Sequence, residues 1–362
     1  MTVLAALLRE YGKPLQIEEV ELEKPRADEI LVRMVASGVC HTDISMINTA
    51  DRVPLPIVLG HEGAGVVEAV GEVVGELEPG NHIVLSYGFC GHCPSCVQGS
   101  PYHCDHMHRL NFGGSRLDGT SPISQKGDII HGMFFAQSSF ATHAIVPARS
   151  AVKVPKDIPL ELLAPLGCGV QTGAGTVFHI FQAPIGSSIA IFGSGSVGLS
   201  AVMAAKIAGC REIIAIDLFE SRLQLASDLG ATHVINPQKE NVVDRIRGIT
   251  GSGVDFAFDN TGNGEVIQEA FACLGRKGQC AIAAGFGVEL KLSAFEILLG
   301  KRIQGVTEGE SIPRLFIPQM IELYRQGRFP FDRLIKTYGF RDVNKAIEAS
   351  KSGEVVKPVL TF

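Results

Sequence analysis

No basic stripe runs through this sequence. Over 362 residues, 32 lysines and arginines face 38 aspartates and glutamates, giving a formal charge of −6 and a pI near 6.0. Nothing there can neutralise a phosphate backbone, which excludes a sequence-independent nucleic-acid binder. Long apolar runs are missing too: the opening segment Met1 to Leu8 is too short for a membrane span and is followed by mixed charge. It also lacks the cationic start and cleavage pattern of a secretory signal. The expectation is a cytoplasmic chain with no membrane partner. Charged residues are scarce at 19 % against 46 % hydrophobic, too apolar a balance for disorder, and the 41 glycines follow no collagen-like period. The length allows two domains, each with its own core.

What is there begins with nine cysteines. In a reducing compartment they serve as metal ligands or buried thiols rather than disulfides. Cys90, Cys93, Cys96 and Cys104 fall within fifteen residues, with Gly88, Gly91, Pro94 and Gly99 to bend the backbone between them. Four thiolates so spaced can fill every position of a tetrahedral zinc, a closed site that folds a lobe rather than catalyses. Reduced surface thiols or a redox pair are the plain alternative. His92, His103, His106 and His108 stand close enough to compete as ligands, but four cysteines make them unnecessary and they are read as solvent-facing. A second set is dispersed. His61, in Gly60-His61-Glu62-Gly63-Ala64-Gly65, can turn toward a metal without crowding, and Cys40 and Cys168 would complete three ligands. That is the count of a catalytic zinc with its fourth position open. Taken alone, the same three residues read as readily as buried core.

The N-terminal third is β-rich, with apolar or alternating segments at Leu15 to Glu21, Glu29 to Ala36, Val66 to Val70 and Asn81 to Leu85, and a turn at Glu78-Pro79-Gly80-Asn81. Short strands of this kind suggest a barrel-like domain. After residue 150 the period changes. The strand Ser188 to Phe192 runs into Gly193-Ser194-Gly195-Ser196-Val197-Gly198 and an apolar helix to Ala208, and a second strand, Glu212 to Ile216, ends in Asp217. Here Gly193 makes the turn, Gly195 lets backbone approach a pyrophosphate, and Gly198 packs helix on strand, while Asp217 accepts from the adenosine ribose hydroxyls. A structural glycine turn is the alternative. Helices at Glu220 to Leu229, Asn241 to Ile249 and Val266 to Leu274 alternate with strands at Thr232 to Ile235, Val254 to Asp259 and Gly278 to Ala284. Repeated units of this length predict a doubly wound parallel sheet.

Gly38-Val39-Cys40-His41-Thr42-Asp43, the glycine-flanked His61, the four-cysteine lobe, Pro165-Leu166-Gly167-Cys168-Gly169 with Thr172-Gly173, and Gly193 to Gly198 stand in the order seen in zinc-dependent medium-chain alcohol dehydrogenases, which the whole chain resembles. Within that family it looks most like the aryl-alcohol (benzyl-alcohol) dehydrogenases, at Ser86-Tyr87-Gly88-Phe89-Cys90-Gly91, Phe134 to Phe140 and Gly167 to Gly175.

The resemblance implies a GroES-like catalytic domain over 1–168 and 307–362, closed by a helix at Ile312 to Tyr324, and a Rossmann domain over 169–306, with the active site in the cleft between them. It implies two zinc ions per chain, Cys40, His61 and Cys168 holding the catalytic one, and NAD as hydride acceptor. Thr42 would take the alcohol proton, Asp43 would orient His61, and Glu62 would tune the metal. His41 and Lys357 would lie on the cofactor pyrophosphate, with Thr172 also on the cofactor and Arg222 lining the adenosine pocket. Asp217, followed by Leu218 and Phe219 and no cation, implies NAD over NADP. Many relatives place a histidine five residues beyond the first zinc cysteine as the end of a proton relay. This chain has Ser45, which cannot hold a proton at neutral pH.

Residues near Lys291 to Gly305 would pair across subunits into a homodimer or homotetramer. Phe134, Phe135 and Phe140 fall in a segment resembling the family's substrate-lining strand, with Tyr87 and Phe89 at the entry to the four-cysteine lobe. They imply a flat pocket and reversible oxidation of aromatic primary alcohols to aldehydes. The alternatives are a dehydrogenase of allylic or aliphatic alcohols, a glutathione-linked formaldehyde dehydrogenase, and an inactive zinc- and nucleotide-binding protein.

Overall fold

A computed structural model describes residues 1–362, and in it the chain divides into two compact units. The first comprises Met1–Cys168, Ile312–Ile321 and Asp332–Phe362, and the second Gly169–Ser311 and Glu322–Phe331. Residues 307–311 and 322–331 thus go with the second unit, the chain passing between the units four times.

The first unit is built on two sheets. One is antiparallel, in the order Ile57–Val58, Thr2–Leu8, Gln16–Leu22, Ile123–Gln125 and Asp128–Ile130. The other runs Ala151–Lys153, His82–Leu85, Glu62–Val70, Glu29–Gly38, Lys357–Thr361 and Ile335–Gly339, with His143–Pro147 also on Glu29–Gly38. Glu29–Gly38 is the pivot. It buries Ile30, Val32, Met34 and Ala36, as β-branched and apolar residues on a pleated face do, and pairs with Glu62–Val70 so that Gly38 stands opposite Glu62. That register matters for everything below. It brings Cys40, just past the end of one strand, beside His61, just before the start of its neighbour. The core between the sheets gathers Leu7, Leu8, Ile57, Tyr87, Phe134, Phe140 and Leu360.

The second unit contains a six-stranded, wholly parallel sheet in the order His233–Ile235, Glu212–Ile216, Ser188–Phe192, Val254–Asp259, Leu274–Ile282 and Arg302–Gly305. Numbered along the chain this is 3-2-1-4-5-6, the doubly wound order of a dinucleotide-binding fold. Its inner strands Ser188–Phe192 and Glu212–Ile216 are buried apolar runs, as strands covered on both faces are. Helix starts follow side-chain caps: Asn241 accepts from Asp244 N–H ahead of Val242–Thr250, and Asn263 accepts from Glu265 and Val266 N–H ahead of Gly264–Ala272. The latter cap moves that helix two residues earlier than the apolar pattern suggests. No helix is long and apolar enough to cross a membrane.

Candidate active site

Two strand ends and a 3₁₀ turn converge on one cluster. Cys40 precedes the helix His41–Asn48, His61 precedes the strand Glu62–Val70, and Cys168 follows a short turn, Ala164–Gly167. That turn is fastened by Ser86, whose hydroxyl donates to Gly167 O at 2.7 Å, and a Cβ at Gly167 would come within 2.0 Å of Leu85 O. One potential ligand atom each from Cys40, His61, Glu62 and Cys168 lie within 4.8 Å of one another, and all four residues are buried.

Asp43, fully buried, organises the first half of this cluster. Its Oδ2 accepts from the Cys40 N–H at 3.0 Å, capping the helix, while Oδ1 accepts from Gly60 N–H at 3.0 Å and lies 3.0 Å from His61 Nδ1. A proton on Nδ1 directed at this carboxylate leaves Nε2 with a lone pair, the arrangement of a metal-binding histidine. His61 Nε2 is buried with no hydrogen-bond partner. Leaving such an atom unmet costs about 1–3 kcal/mol. A cation among the two thiolates and this nitrogen removes that cost, and a soft donor set of two sulfurs and one nitrogen suits zinc. The electrostatics agree: hydrogen bonding with Cys168 outweighs desolvation and, with the charges of His61 and Lys357, holds the Cys40 thiol well below its ordinary value. Burial alone would lower the His61 pKa, but Asp43 and Cys40 raise it instead.

Lys357 is buried against Glu62. Only 2 % exposed, Nζ donates to both oxygens of Glu62 at 2.8 and 2.9 Å and to Val39 O at 3.2 Å, exhausting its three protons. Burial works against the charged form, yet Glu62 and Cys40 hold the Lys357 pKa above its ordinary value. A Cβ on Gly38 would stand 2.0 Å from Glu62 Oε2, so only glycine fits opposite this pair. His41 is exposed at the helix start, and Thr42 places its Oγ1 3.8 Å from the Cys40 sulfur.

The segment Phe134 to Phe140 is not a strand. It begins as a 3₁₀ turn, Phe134–Ala136, with Phe135, Ala136 and Ser138 all at positive φ. The turn sets Phe135 flat against the His61 imidazole, centroids 4.5 Å apart, with Phe134 edge-on at 5.6 Å and Phe112 at 5.2 Å from Phe135. Phe140 is core, packed where a side chain on Gly60 would sit. Sequence reasoning gave no role to Gln137. Its amide donates to His61 O at 2.9 Å and its oxygen accepts from Gly63 N–H at 3.0 Å, clamping the backbone on both sides of Glu62.

The four-cysteine set also assembles. The ligand sulfurs lie within 4.8 Å of one another, with Cys90 to Cys96 and Cys93 to Cys104 each at 3.9 Å. That is far beyond a disulfide, and close to the edge of about 3.8 Å of a tetrahedron with zinc–sulfur bonds of about 2.3 Å. N–H groups of His92 and Cys93 donate to the Cys90 sulfur and Asp105 N–H to that of Cys93, and the backbone N–H groups of Asp105 and Cys96 bring the Cys93 pKa down to about 6. His92, His103 and His108 are exposed as expected, whereas His106 is half-buried.

In the second unit Gly193 has φ +92°, and a Cβ at Gly198 would meet Gly193 O at 1.8 Å, while Gly195 faces open space. This is a cradle a side chain would fill, beside the start of the helix Ser196–Ala208, and it fits a pyrophosphate. Asn260 pins the turn by donating to Phe192 O and Gly193 O. Asp217 accepts from Ser194 N–H at 2.7 Å and Phe219 N–H at 2.9 Å, and Arg222 lies over the Phe219 ring at 4.9 Å. Thr172 is buried on the helix Gly169–Gly175, which approaches Val197 so closely that only glycine fits at 173.

Residues 26–156 match the alcohol dehydrogenase GroES-like domain and residues 196–326 the zinc-binding dehydrogenase domain. The chain is 45 % identical to the geraniol dehydrogenase of Castellaniella defragrans, over 99 % of its own length and 97 % of that protein's. It is 35 % identical, over the full length of both, to the S-(hydroxymethyl)glutathione dehydrogenase of Paracoccus denitrificans. The crystal structure of benzyl alcohol dehydrogenase from Acinetobacter calcoaceticus superposes with a TM-score of 0.96 at 43 % identity, covering 100 % of this chain and 99 % of that one.

Proposed function

Because this chain belongs to the zinc-binding alcohol dehydrogenases with a GroES-like domain, we propose that it oxidises primary alcohols whose carbinol carbon adjoins an aromatic ring or a double bond, reversibly and with NAD. The rings of Phe135 and Phe112 beside His61, backed by the fully buried Phe134, carry this reading. Such rings bury a flat substrate and add about 0.5–1.5 kcal/mol per well-placed contact beyond area. The product aldehyde is conjugated, which favours loss of hydride. Benzyl alcohol and geraniol, named for two relatives, share that feature.

Cys40, His61 and Cys168 would hold zinc, which would supply Lewis acidity to the alcohol, and NAD would supply the hydride acceptor. The chain's own residues do the rest. Asp43 keeps His61 in the tautomer that offers Nε2 and fixes the Cys40 backbone. Thr42, beside Cys40, accepts the alcohol proton as it gives up its own to water, since Ser45 at the next relay position cannot hold it. Glu62, held by Lys357, adds a negative field next to the thiolates without leaving an unpaired buried charge. In the closed four-cysteine lobe, zinc is structural.

A panel of benzyl alcohol, geraniol, ethanol and S-(hydroxymethyl)glutathione, each with NAD and NADP, tests the reading. Benzyl alcohol and geraniol are expected to exceed ethanol by about a hundredfold in kcat/KM, since each unfilled methylene-sized space forfeits about 1–3 kcal/mol. NAD is expected to be preferred because Asp217 repels a 2′-phosphate. Equal efficiency with ethanol, a preference for the glutathione adduct, or better turnover with NADP would refute the corresponding part.

Self-association is supported by the edge strand Arg302–Gly305 and the exposed Phe295 and Leu298 of the preceding helix. Light scattering should give a dimer or tetramer mass. A monomer at micromolar concentration would reject that assembly.

A further inference from the structure

The four-cysteine lobe carries more ligands than one zinc needs. Ring nitrogens of His92 and His106 and the sulfur of Cys90 lie within 4.8 Å of one another, with His92 exposed, His106 half-buried and Cys90 buried at the inner end. The two imidazoles are neighbours, with centroids 6.1 Å apart and planes inclined at 45°. His92 is not free to swing: its Nδ1 lies 3.0 Å from Cys90 O, so a proton there is donated to the carbonyl and Nε2 keeps the lone pair.

We propose that Cys90, His92 and His106 form a third metal site, for a divalent transition cation such as zinc or cobalt, which shares the Cys90 thiolate with the four-cysteine cluster. The inference rests on that cluster holding zinc. Four thiolates around one divalent cation leave a net charge of about −2. Two neutral imidazoles beside it supply donors for a second cation without adding charge, and that cation neutralises the excess. The Cys90 sulfur can bridge because its protein contacts are weak ones, the N–H groups of His92 and Cys93 at 3.5 and 3.3 Å. With three protein ligands and solvent in the remaining position, the site is exchangeable where the four-cysteine site is closed. It lies in a lobe that contributes none of Cys40, His61 and Cys168, so occupancy need not alter turnover.

The test titrates holoenzyme containing two zinc ions with cobalt(II), followed by native mass spectrometry and near-ultraviolet absorption. The expected result is a third equivalent with a sulfur-to-cobalt charge-transfer band and no release of zinc. His92→Ala and His106→Ala each weaken that equivalent by at least about tenfold, and the double variant abolishes it, with both zinc ions and alcohol turnover retained. Binding that stops at two metals, a third cobalt that persists in the double variant, or cobalt uptake matched by zinc release would each overturn the proposal.

Discussion

Cys90, Cys93, Cys96 and Cys104 lie within fifteen residues of chain, whereas Cys40 and Cys168 are 128 residues apart and meet His61 only because two strand ends and a turn coincide. The near set can be wrapped by turns alone, and its four donors are all sulfur. The far set brings one buried nitrogen with no partner and a carboxylate already held by Lys357, and so keeps a position in reserve. Metal in the first place organises a lobe. In the second it is held by a fold that must already exist, and the stabilising energy has gone into the strands and the Asp43 bonds instead.

This contrast can be broken most forcefully at Cys168. Cys168→Ser is expected to lower turnover by roughly a thousandfold or more, the several kcal/mol that a Lewis acid supplies, with one zinc lost and the melting temperature nearly unchanged. Metal analysis with steady-state kinetics checks it. Activity within tenfold of the parent would remove the open site from the chemistry.

Cys96→Ser should act the other way round. The lobe loses its metal and several kcal/mol of the stability it confers, seen as a fall of about 5–10 °C in melting temperature and a poorer soluble yield, while the folded fraction still turns over. Calorimetry alongside active-site titration separates these. A variant equally stable but inactive would reverse the two roles.

A finer cut is Asp43→Asn, which keeps the shape but removes the charge behind His61 and can offer the wrong hydrogen. Metal affinity or kcat/KM is expected to fall by about 10–100-fold, with about 1 kcal/mol of helix-cap stability. Unchanged zinc affinity would show that the carboxylate merely caps the helix.

How far the chain could be read beforehand follows the same division between near and far. Ser188–Phe192, Glu212–Ile216 and Val254–Asp259 stand where their apolar runs place them, because strands buried on both faces need no alternation. Thr2–Leu8 is the counterexample: it neither alternates nor is bounded by turn residues, and only its pairing with Gln16–Leu22 makes it a strand. The Lys357–Glu62 pair is not legible in the sequence, because the partners are 295 residues apart and a basic residue's position says nothing of what it faces. Gln137 left no signal at all, since it binds backbone rather than another motif. The turn at Phe134–Ala136 was read as strand because residues other than glycine hold its left-handed positions.

Lys357–Thr361 is an interior strand, with Glu29–Gly38 on one side and Ile335–Gly339 on the other. During translation its place stays vacant long after residues 1–168 have been made. At about 5–20 residues per second, the ribosome takes roughly 10–40 s to reach residue 357. Throughout that interval Ala36–Gly38 lacks its partner strand, the rest of that edge being paired with His143–Pro147, and Glu62 waits without its ammonium. Biosynthetic yield should therefore depend on whatever shields that edge, and slow codons or chaperone shortage between residues 168 and 357 will cost more soluble protein than the same delay elsewhere.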